Sequence, residues 1–394
     1  MATTTSGARK LSGSAPKTAA GQRAGHPVDG ATSGATAGDT VGARIRGFAR
    51  RHWIFGLLLL AGVLLRAATV YAYWPAFWFR NDSNGYIAGA SDPQPDGFGG
   101  ANGIGYPAFL WLVHWTNSLA VVSIAQHVLG VALAVLIYAF LRRRGLPGWL
   151  ASLGAATQLL DAQMVALEHY VLADSLFTLL ITAAAILLLY NDKPGVFACV
   201  ASSVLLVGGV LTRTIGIGLA GIFALYLIVR WAGWKRVVAF VLPVLVLLGG
   251  YLGWMHSEYG TFSFSRMQGL YLYSRTAQIA DCDRLRLSAA ERAFCPTTPV
   301  SKREDRGDWF LWNGPQMGLQ RYTPAQQAAI SGFAKQVIKQ QPGDYLALVA
   351  RDTAKYLLPG QPVTSWDTCV GGWWAMPAQL PDNSTTFQTR CKAL

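Results

Sequence analysis

Seven apolar segments, separated by polar turns, constrain the fold of this chain more than any other feature. Each reaches or approaches the ~17–25 residues that a helix needs to cross the hydrocarbon core of a bilayer. They cover residues 53–74, 119–141, 148–167, 171–190, 196–211, 215–229 and 237–256. The fifth and sixth segments are short and interrupted by glycine, so whether they cross fully stays open. The pattern predicts an all-α polytopic membrane protein with a seven-span core at 53–256.

The composition agrees with a membrane protein, because 52% of the residues are hydrophobic and only 13% are charged. In soluble domains, about a quarter of all residues are charged. Residues 1–52 differ from the rest, with eight Lys or Arg against two acids and no apolar period. This segment is predicted to be a disordered basic tail. A basic tail can bind nucleic acid, but beside a membrane span it is more typical of a cytoplasmic anchor, so no nucleic-acid partner is expected.

Charges between the segments fall into two sets when seven helices alternate in direction. One side receives the basic tail, Arg142-Arg143-Arg144, Lys193, Arg230 and Lys235-Arg236. The other side receives Asp82, Asp92, Asp96, Asp161, Glu168 and Asp174. Since positively charged loops stay in the cytoplasm, this bias predicts a multi-pass protein of the cell membrane with a cytoplasmic N-terminus. Residues 257–394 then form an extracytoplasmic C-terminal region.

Two polar regions connect or follow the apolar segments. A long first outer loop at 75–118 is rich in Gly, Pro and Asp, and it ends in a Trp-rich stretch predicted to be a short interfacial helix beginning at Pro107. The C-terminal region contains two helical patterns. Thr323-Pro324 begins one that runs to Gln341, and residues 345–358 form the other after a Pro-Gly break.

Four of the five cysteines lie in the region that the charge bias places outside, namely Cys282, Cys295, Cys369 and Cys391. Thiols in an oxidising compartment favour disulfides, and four of them allow three pairings. Pairing of neighbours, Cys282–Cys295 and Cys369–Cys391, is the simplest. CxxC spacing is absent, so a zinc site is not predicted.

Ionisable residues within or beside a membrane are costly, which makes each a functional candidate. Arg66 lies within the first segment, where it either extends outward to water or faces a substrate. Glu168, His169 and Asp174 lie at the turn between the third and fourth segments, where a solvated rim is the alternative. Arg213, at the outer end of the fifth segment, needs a counter-charge. Asp82, Glu168, Asp174 and a lipid phosphate are the candidates, and the phosphate is favoured.

Asp82 follows the first apolar segment, among aromatic residues that include Tyr86. It either caps the turn Asn81–Gly85, as Asx residues often do, or acts as a general base. A partly desolvated carboxylate has a raised pKa, which suits the second role. The chain lacks a phosphate-binding glycine loop between a strand and a helix, so a soluble nucleotide donor is disfavoured.

Several short motifs follow one another along the 53–256 core. They are Arg66, Asn81-Asp82-Ser83 with Tyr86, Gly103-Ile104-Gly105-Tyr106-Pro107 before Phe109-Leu110, Glu168-His169-Tyr170-Val171-Leu172-Ala173-Asp174, and Leu211-Thr212-Arg213-Thr214-Ile215-Gly216. Their order resembles the GT-C glycosyltransferases, in the branch of the protein O-mannosyltransferases and the lipid A aminoarabinose transferase. The resemblance implies a catalytic Asp82 in the first outer loop and a lipid-phosphate contact at Arg213. The chain departs from the family where many relatives have Asp-Glu and Pro-Pro, at Asp82-Ser83 and Gly105-Tyr106-Pro107.

The resemblance implies an enzyme that transfers a sugar from a polyprenyl-phosphate donor to an extracytoplasmic hydroxyl, with inversion. Asp82 is the predicted base, and the predicted substrate or lipid-phosphate contacts are Arg213, Arg66, Tyr86, Glu168, His169 and Asp174. The expected partners are the donor, membrane lipids, and a protein, lipid or cell-wall glycan acceptor. No cofactor is firmly predicted, although a divalent metal near Asp82 with Asp92 or Asp96 stays open. The alternatives are a lipid or glycan transporter or flippase, and a membrane-anchored binding protein.

Overall fold

A computed structural model of the protein describes residues 37–91, 103–312 and 323–357, which are helical and contain no β-strand. The helices are α1 (Ala37–Ala72), α2 (Arg80–Ser91), α3 (Gly105–Val113), α4 (Leu119–Arg143), α5 (Gly148–Leu159), α6 (Ala162–His169), α7 (Asp174–Leu189), α8 (Val196–Thr212), α9 (Ile217–Val229), α10 (Trp234–Tyr259), α11 (Gln268–Thr276), α12 (Ala289–Arg292), α13 (Gly307–Trp312), α14 (Pro324–Gln340) and α15 (Pro342–Leu357). Short 3-10 turns lie at His114–Thr116, Thr214–Gly216 and Val300–Lys302.

Three of the described helices are long and apolar enough to cross a membrane. They are Gly47–Ala72 within α1, Leu119–Arg143 and Trp234–Tyr259. A fourth span results if α5 and α6 count as one, while the apolar helices α7, α8 and α9 are shorter. Large apolar side chains such as Leu64 and Leu245 are more than half exposed on these helices. Because soluble monomers rarely expose wide apolar surfaces, the helices belong to a membrane protein.

Each of the seven predicted apolar segments contains helix, but the third is not one continuous helix as expected. It is broken at Leu160 and Asp161 into α5 and α6, whose axes differ by 46°. The Asp161 carboxylate accepts a hydrogen bond from the Met164 amide at 3.0 Å and caps the start of α6. A side chain that caps a helix N-terminus competes with continuation of the helix through that position.

Contacts at the two ends of the helix bundle give the helix directions. At one end, which we call the site end, Ser123 near the start of α4 donates to the Pro75 carbonyl, which follows α1, at 2.8 Å. The start of α7 and the end of α8 meet there through Asp174 and Arg213. At the opposite end, Arg144 after α4 pairs with Asp192 after α7 at 3.2 Å. α1 and α4 therefore run in opposite directions, as do α7 and α8, whereas α4 and α7 run in the same direction.

The first outer loop is more helical than expected, because α2 occupies Arg80–Ser91. The alternative in which Asp82 caps a turn over Asn81–Gly85 is wrong, because Asp82 lies in the first turn of this helix. Asn, Asp, Ser and Gly disfavour helix in isolation, so burial of Ser83, Tyr86 and Ala90 on one face stabilises α2. The expected interfacial helix is present as α3, and it begins at Gly105 rather than Pro107.

The described part of the C-terminal region has its own apolar core around Tyr273, Phe310 and Phe333. The two predicted helices are present as α14 and α15. Thr323 and Gln326 form a capping box at the start of α14. The predicted Cys282–Cys295 disulfide is confirmed, with Cα atoms 6.1 Å apart. Cys369 and Cys391 lie outside the described residues, as do Asp92 and Asp96.

The basic N-terminal segment also differs from the expectation. α1 begins at Ala37, so its first turns include residues that were predicted to be disordered. Ala and Arg in this stretch favour helix, and a helix that continues into an apolar span needs no new nucleation. Residues before 37 lie outside the described part of the chain.

Candidate functional site

The position of Asp82 at the site end is fixed by hydrogen bonds that its neighbours Phe77 and Ser83 make. Phe77 pairs with the α6–α7 connection, since its amide donates to the His169 carbonyl at 3.0 Å and its carbonyl accepts from Val171 at 3.1 Å. The fully buried Ser83 hydroxyl donates to the Val171 carbonyl at 2.9 Å. α2 is therefore fixed to the segment that leads into α7. Asp82 also lies where the positive end of the α2 dipole favours a carboxylate.

The predicted candidates Asp174 and Arg213 form an ion pair beside α2. Asp174 begins α7 and Arg213 directly follows α8, so the pair joins two helix ends. One Asp174 oxygen, Oδ2, is buried and has no hydrogen-bond partner among the described residues. The Arg213 side chain is 39% exposed and uses one N–H on Asp174. A guanidinium has five N–H donors, so Arg213 retains donors for an anion.

Two glycines allow the segment before α3 to pack against the end of α8 next to Arg213. A Cβ atom on Gly103 would lie 2.2 Å from the Leu211 carbonyl oxygen. A Cβ atom on Gly105 would lie 2.5 Å from Thr212 Oγ1 and 2.6 Å from the Thr212 nitrogen. Real Cβ contacts are never this short, so the close approach requires glycine. The two glycines of the Gly-Ile-Gly motif are therefore needed for the packing of this segment against the end of α8.

The charges of Asp82, Asp174 and Arg213 influence one another. Burial raises the pKa of the Asp82 carboxyl, the Arg213 guanidinium lowers it and the Asp174 carboxylate raises it further. Asp82 has no hydrogen bond or ion pair with another described side chain. Burial, with Asp82 as the second cause, also raises the pKa of the Tyr86 phenol. The described residues at this end thus provide one unpaired carboxylate beside one ion pair.

The C-terminal region contributes Tyr271 of α11 to the same cluster. Burial and the nearby Asp82 carboxylate raise the pKa of Tyr271 to about 12. The Tyr271 side chain remains 41% exposed, so it is also open to water. Tyr271 was not predicted from the sequence, because nothing in its spacing relates it to residues almost two hundred positions earlier.

Arg66 and Glu168 are brought together in a separate buried cluster, and they are 3% and 1% exposed. The guanidinium donates to both Glu168 oxygens, at 2.7 and 2.8 Å. Its other N–H groups donate to the carbonyls of Gly62, Leu159 and Gln158. Glu168 also accepts from the Gln158 amide at 2.9 Å. All five donors of Arg66 are thus used inside the protein, so it neither extends to water nor has a donor free for a ligand.

The remaining predicted candidate, His169, lies in the same buried cluster and contacts His127. The sequence interpretation omitted His127, Gln126 and Gln158. Gln126 is fully buried and donates to the carbonyls of Glu168 and Tyr170, at 2.9 and 2.7 Å. A signal was present, because polar residues inside an apolar segment are rare and usually have partners in the bundle. Gln126 and His127 are neighbours in the second segment.

The structure therefore separates the predicted site residues into two groups. Asp82, Tyr86, Asp174 and Arg213 form an acid–base cluster at the site end, with N–H donors on Arg213 and a carboxylate that no described side chain pairs with. Arg66, Glu168 and His169 form a buried network whose groups mostly contact one another. The described residues contain no group of three His, Cys, Asp or Glu side chains placed to hold a metal ion. Comparisons with protein-family models, with curated proteins and with solved structures gave no match for this chain.

Proposed function

We propose that this chain is an integral-membrane glycosyltransferase that uses a polyprenyl-phosphate sugar donor, with Asp82 as the general base. Asp82 takes the proton of an acceptor hydroxyl while that oxygen attacks the anomeric carbon of the sugar. The bond from this carbon to the phosphate oxygen breaks, and the polyprenyl phosphate leaves beside Arg213. A guanidinium near the departing oxygen stabilises the charge that develops there.

The observation that carries the proposal is the Asp82 carboxylate, which has no partner among the described side chains, next to the Arg213–Asp174 pair. A base works best when its pKa is near the pH of the reaction, and burial moves the pKa of Asp82 in that direction. Arg213 keeps donors for a phosphate, and Asp174 holds it in place. The cluster therefore supplies a base and an anion-binding group within one site.

Exposed aromatic residues support a membrane position for the site. Tyr71, Trp74, Trp111 and Trp115 are exposed near the site end. Exposed Trp149, Trp231 and Trp234 lie near the opposite end. Tyr and Trp side chains concentrate at both membrane surfaces. Two such groups support a bundle that crosses the membrane with its site end at one surface, and we propose that this is the extracytoplasmic surface of a seven-span, GT-C-like core.

The two alternative classes have less support from the described residues. A transporter needs charged groups along a path across the bilayer. The buried Arg66–Glu168 pair instead has its donors and acceptors occupied by helices α1, α4 and α5. A membrane-anchored binding protein would carry its site in the C-terminal region alone. Tyr271 instead lies within electrostatic range of Asp82 and Arg213.

The proposal is tested in cells that lack this chain, by mass spectrometry of polyprenyl-phosphate sugars and envelope glycans. We expect one lipid-linked sugar to accumulate and one glycan to be lost, and the unmodified chain to reverse both. Asp82→Asn should not reverse them, because a general base contributes about 10²–10⁴-fold to a rate. The residual transfer rate of this variant should be too low to restore the glycan.

Asp161→Asn is the matched control, because it removes another carboxylate of the core. Asn caps a helix as well as Asp does, so α6 should keep its start and the variant should restore the glycan. Equal amounts of each variant in the membrane fraction are required. Restoration by Asp82→Asn at the normal level would contradict the proposed base, and an unchanged lipid pool in the deletion would contradict the proposed donor.

A further inference from the structure

A cavity of about 260 Å³ lies at the opposite end of the bundle, where α8 and α10 both begin. The two helices contact each other and share an apolar cluster that includes Cys199, Leu206, Phe240 and Val244. The residues that line the cavity are Val196, Ala232, Gly233, Trp234, Lys235 and Arg236. Two of these residues are basic and none is acidic, so the cavity is a positively charged site.

The backbone at the two helix starts adds to this positive charge. α8 begins after Gly195 and α10 begins after Gly233, so neither N-cap residue has a side chain that could accept from the first N–H groups. Those N–H groups have no acceptor within their own helix, and the helix dipole places partial positive charge there. Two helix starts beside two basic side chains favour an anion, and phosphate is a common ligand at this position.

The two basic side chains of the cavity keep donors for a ligand. One N–H of Arg236 donates to the Ala232 carbonyl, whereas its Nε is buried and has no hydrogen-bond partner among the described residues. Lys235 is exposed and forms no ion pair with a described side chain. Asp192, in the connection before α8, pairs with Arg144 instead. An anion in the cavity therefore does not compete with a carboxylate of the described residues.

Exposed aromatic side chains place the cavity at the membrane surface. Trp234 lines the cavity and is 73% exposed, and Trp231, in the turn before α10, is 89% exposed. Tryptophan concentrates at the level of the lipid headgroups. Val196 and Phe197, at the start of α8, are also exposed. Exposed apolar residues next to a basic cavity fit a lipid, whose acyl chains lie along the helices, better than they fit an anion dissolved in water.

We propose that this cavity binds the headgroup of an anionic phospholipid, whose phosphate contacts Lys235, Arg236 and the first N–H groups of α8 and α10. Basic pockets between membrane helices on the cytoplasmic side bind such headgroups, and the charge bias places this end in the cytoplasm. The lipid is distinct from the proposed sugar donor, whose phosphate contacts Arg213 at the site end. The inference therefore does not depend on the proposed enzymatic activity.

The test compares phosphatidylglycerol, which is anionic, with phosphatidylcholine, which has no net charge. Native mass spectrometry of the full chain in detergent micelles gives the dissociation constant of each lipid. We expect the unmodified protein to bind one phosphatidylglycerol more tightly than phosphatidylcholine. Lys235→Gln combined with Arg236→Gln should weaken phosphatidylglycerol binding about 25-fold, since each basic side chain near an anionic lipid contributes about fivefold. Equal affinity of the unmodified protein for both lipids would overturn the proposal.

Arg143→Gln combined with Arg144→Gln is the matched control. It removes the same number of charges at the same end of the bundle, but neither residue lines the cavity. This variant should bind phosphatidylglycerol almost as tightly as the unmodified protein does. If both double variants weaken binding by the same factor, the lipid responds to overall charge rather than to the cavity, and the proposal is wrong.

Inorganic phosphate distinguishes a lipid site from a site for a soluble anion. A ligand that binds only the folded protein raises its unfolding temperature as the ligand concentration rises. We expect phosphatidylglycerol to raise the unfolding temperature of the unmodified protein, and inorganic phosphate at equal concentration to leave it unchanged. If phosphate gives the same rise and displaces the lipid, the proposed lipid site is wrong. If the Lys235–Arg236 double variant does not fold, these comparisons on the unmodified protein decide.

Discussion

Arg66 carries its charge within an apolar helix, where a central cation costs about 2.5–3.5 kcal/mol on the scale of helix insertion. Its five donors reach Glu168 and three backbone carbonyls, so the charge is fully bonded inside the bundle. The residue thus joins α1 to α5 and α6. The Glu168 carboxylate fits beside α4 because residue 130 of that helix is glycine. A Cβ atom on Gly130 would lie 1.8 Å from Glu168 Oε1.

Glu168→Gln should therefore be strongly destabilising. The change removes the counter-charge and leaves a buried guanidinium unpaired, which costs about 3–5 kcal/mol in comparable buried pairs. The measurement is the free energy of unfolding of the purified protein in detergent. Adding Arg66→Met to the same chain should recover most of the loss, because the unpaired charge is then removed as well.

The control for this prediction is the exposed pair between Arg144 and Asp192, whose side chains are 42% and 85% exposed. Asp192→Asn should change the free energy of unfolding by at most about 1 kcal/mol, since water solvates both groups. If Glu168→Gln were as mild as Asp192→Asn, the buried pair would not be what holds α1 to α6.

The sequence predicted some residues of the candidate site but not which side chains they contact. Asp82, Asp174 and Arg213 were identified because charged residues beside a membrane are rare, and the structure places them together. The partner of Arg66 was not identified, because Glu168 lies 102 residues away along the chain. Sequence spacing indicates helix faces and turns, but it cannot show which side chains from distant helices meet.

At the scale of elements, helices with local signals were predictable and helices formed by packing were not. The start of α14 is encoded locally by Thr323, Pro324 and Gln326, which are typical of a helix N-terminus. Its predicted position is confirmed. α2 has the opposite character, because its first turns contain Asn, Asp, Ser and Gly. Its helix depends on buried contacts such as Ser83 to the Val171 carbonyl. The position of Asp82 therefore follows from tertiary structure.

The close contact of α3 with the end of α8 leads to a second prediction. Gly105→Ala places a methyl group against the Thr212 backbone, so either α3 or the end of α8 has to move. Arg213 is the next residue, and a misplacement of about 1 Å can cost about 100-fold in rate. We expect the variant to fold but to restore little of the missing glycan in the deletion cells.

Gly218→Ala is the matched control for this change, because a Cβ atom there has no neighbour within 4 Å. It introduces the same methyl group near the start of α9, two residues after the turn at Thr214–Gly216. Full restoration by Gly218→Ala and poor restoration by Gly105→Ala is the expected result. Equal restoration by both would show that the α3–α8 contact does not position Arg213.

At the scale of the whole molecule, the charge bias and the helix directions predict a definite orientation. Ser301 is exposed in the C-terminal region, and Lys193 is exposed at the opposite end of the bundle. We expect a membrane-impermeant maleimide to label Ser301→Cys in intact cells. Lys193→Cys should react only after the cells are permeabilised. The reverse pattern would invert the topology and place Asp82 in the cytoplasm.

Apolar segments were the most predictable property of the whole molecule, because hydropathy depends only on composition over a window. Helices occupy all seven segments, yet three are long enough by themselves to cross a membrane. The break between α5 and α6 depends on a single capping residue, Asp161, and the bend cannot be seen in hydropathy. The C-terminal region was predictable only where caps or prolines marked helix ends.

The Arg66–Glu168 pair also sets an order of events during synthesis. Arg66 leaves the ribosome 102 residues before Glu168, an interval of about 5–20 s at ~5–20 residues per second. Throughout that time the carboxylate that pairs with Arg66 in the folded protein has not yet been made. The first span is apolar enough to enter the membrane on its own, but its buried guanidinium gains its partner only when α6 follows.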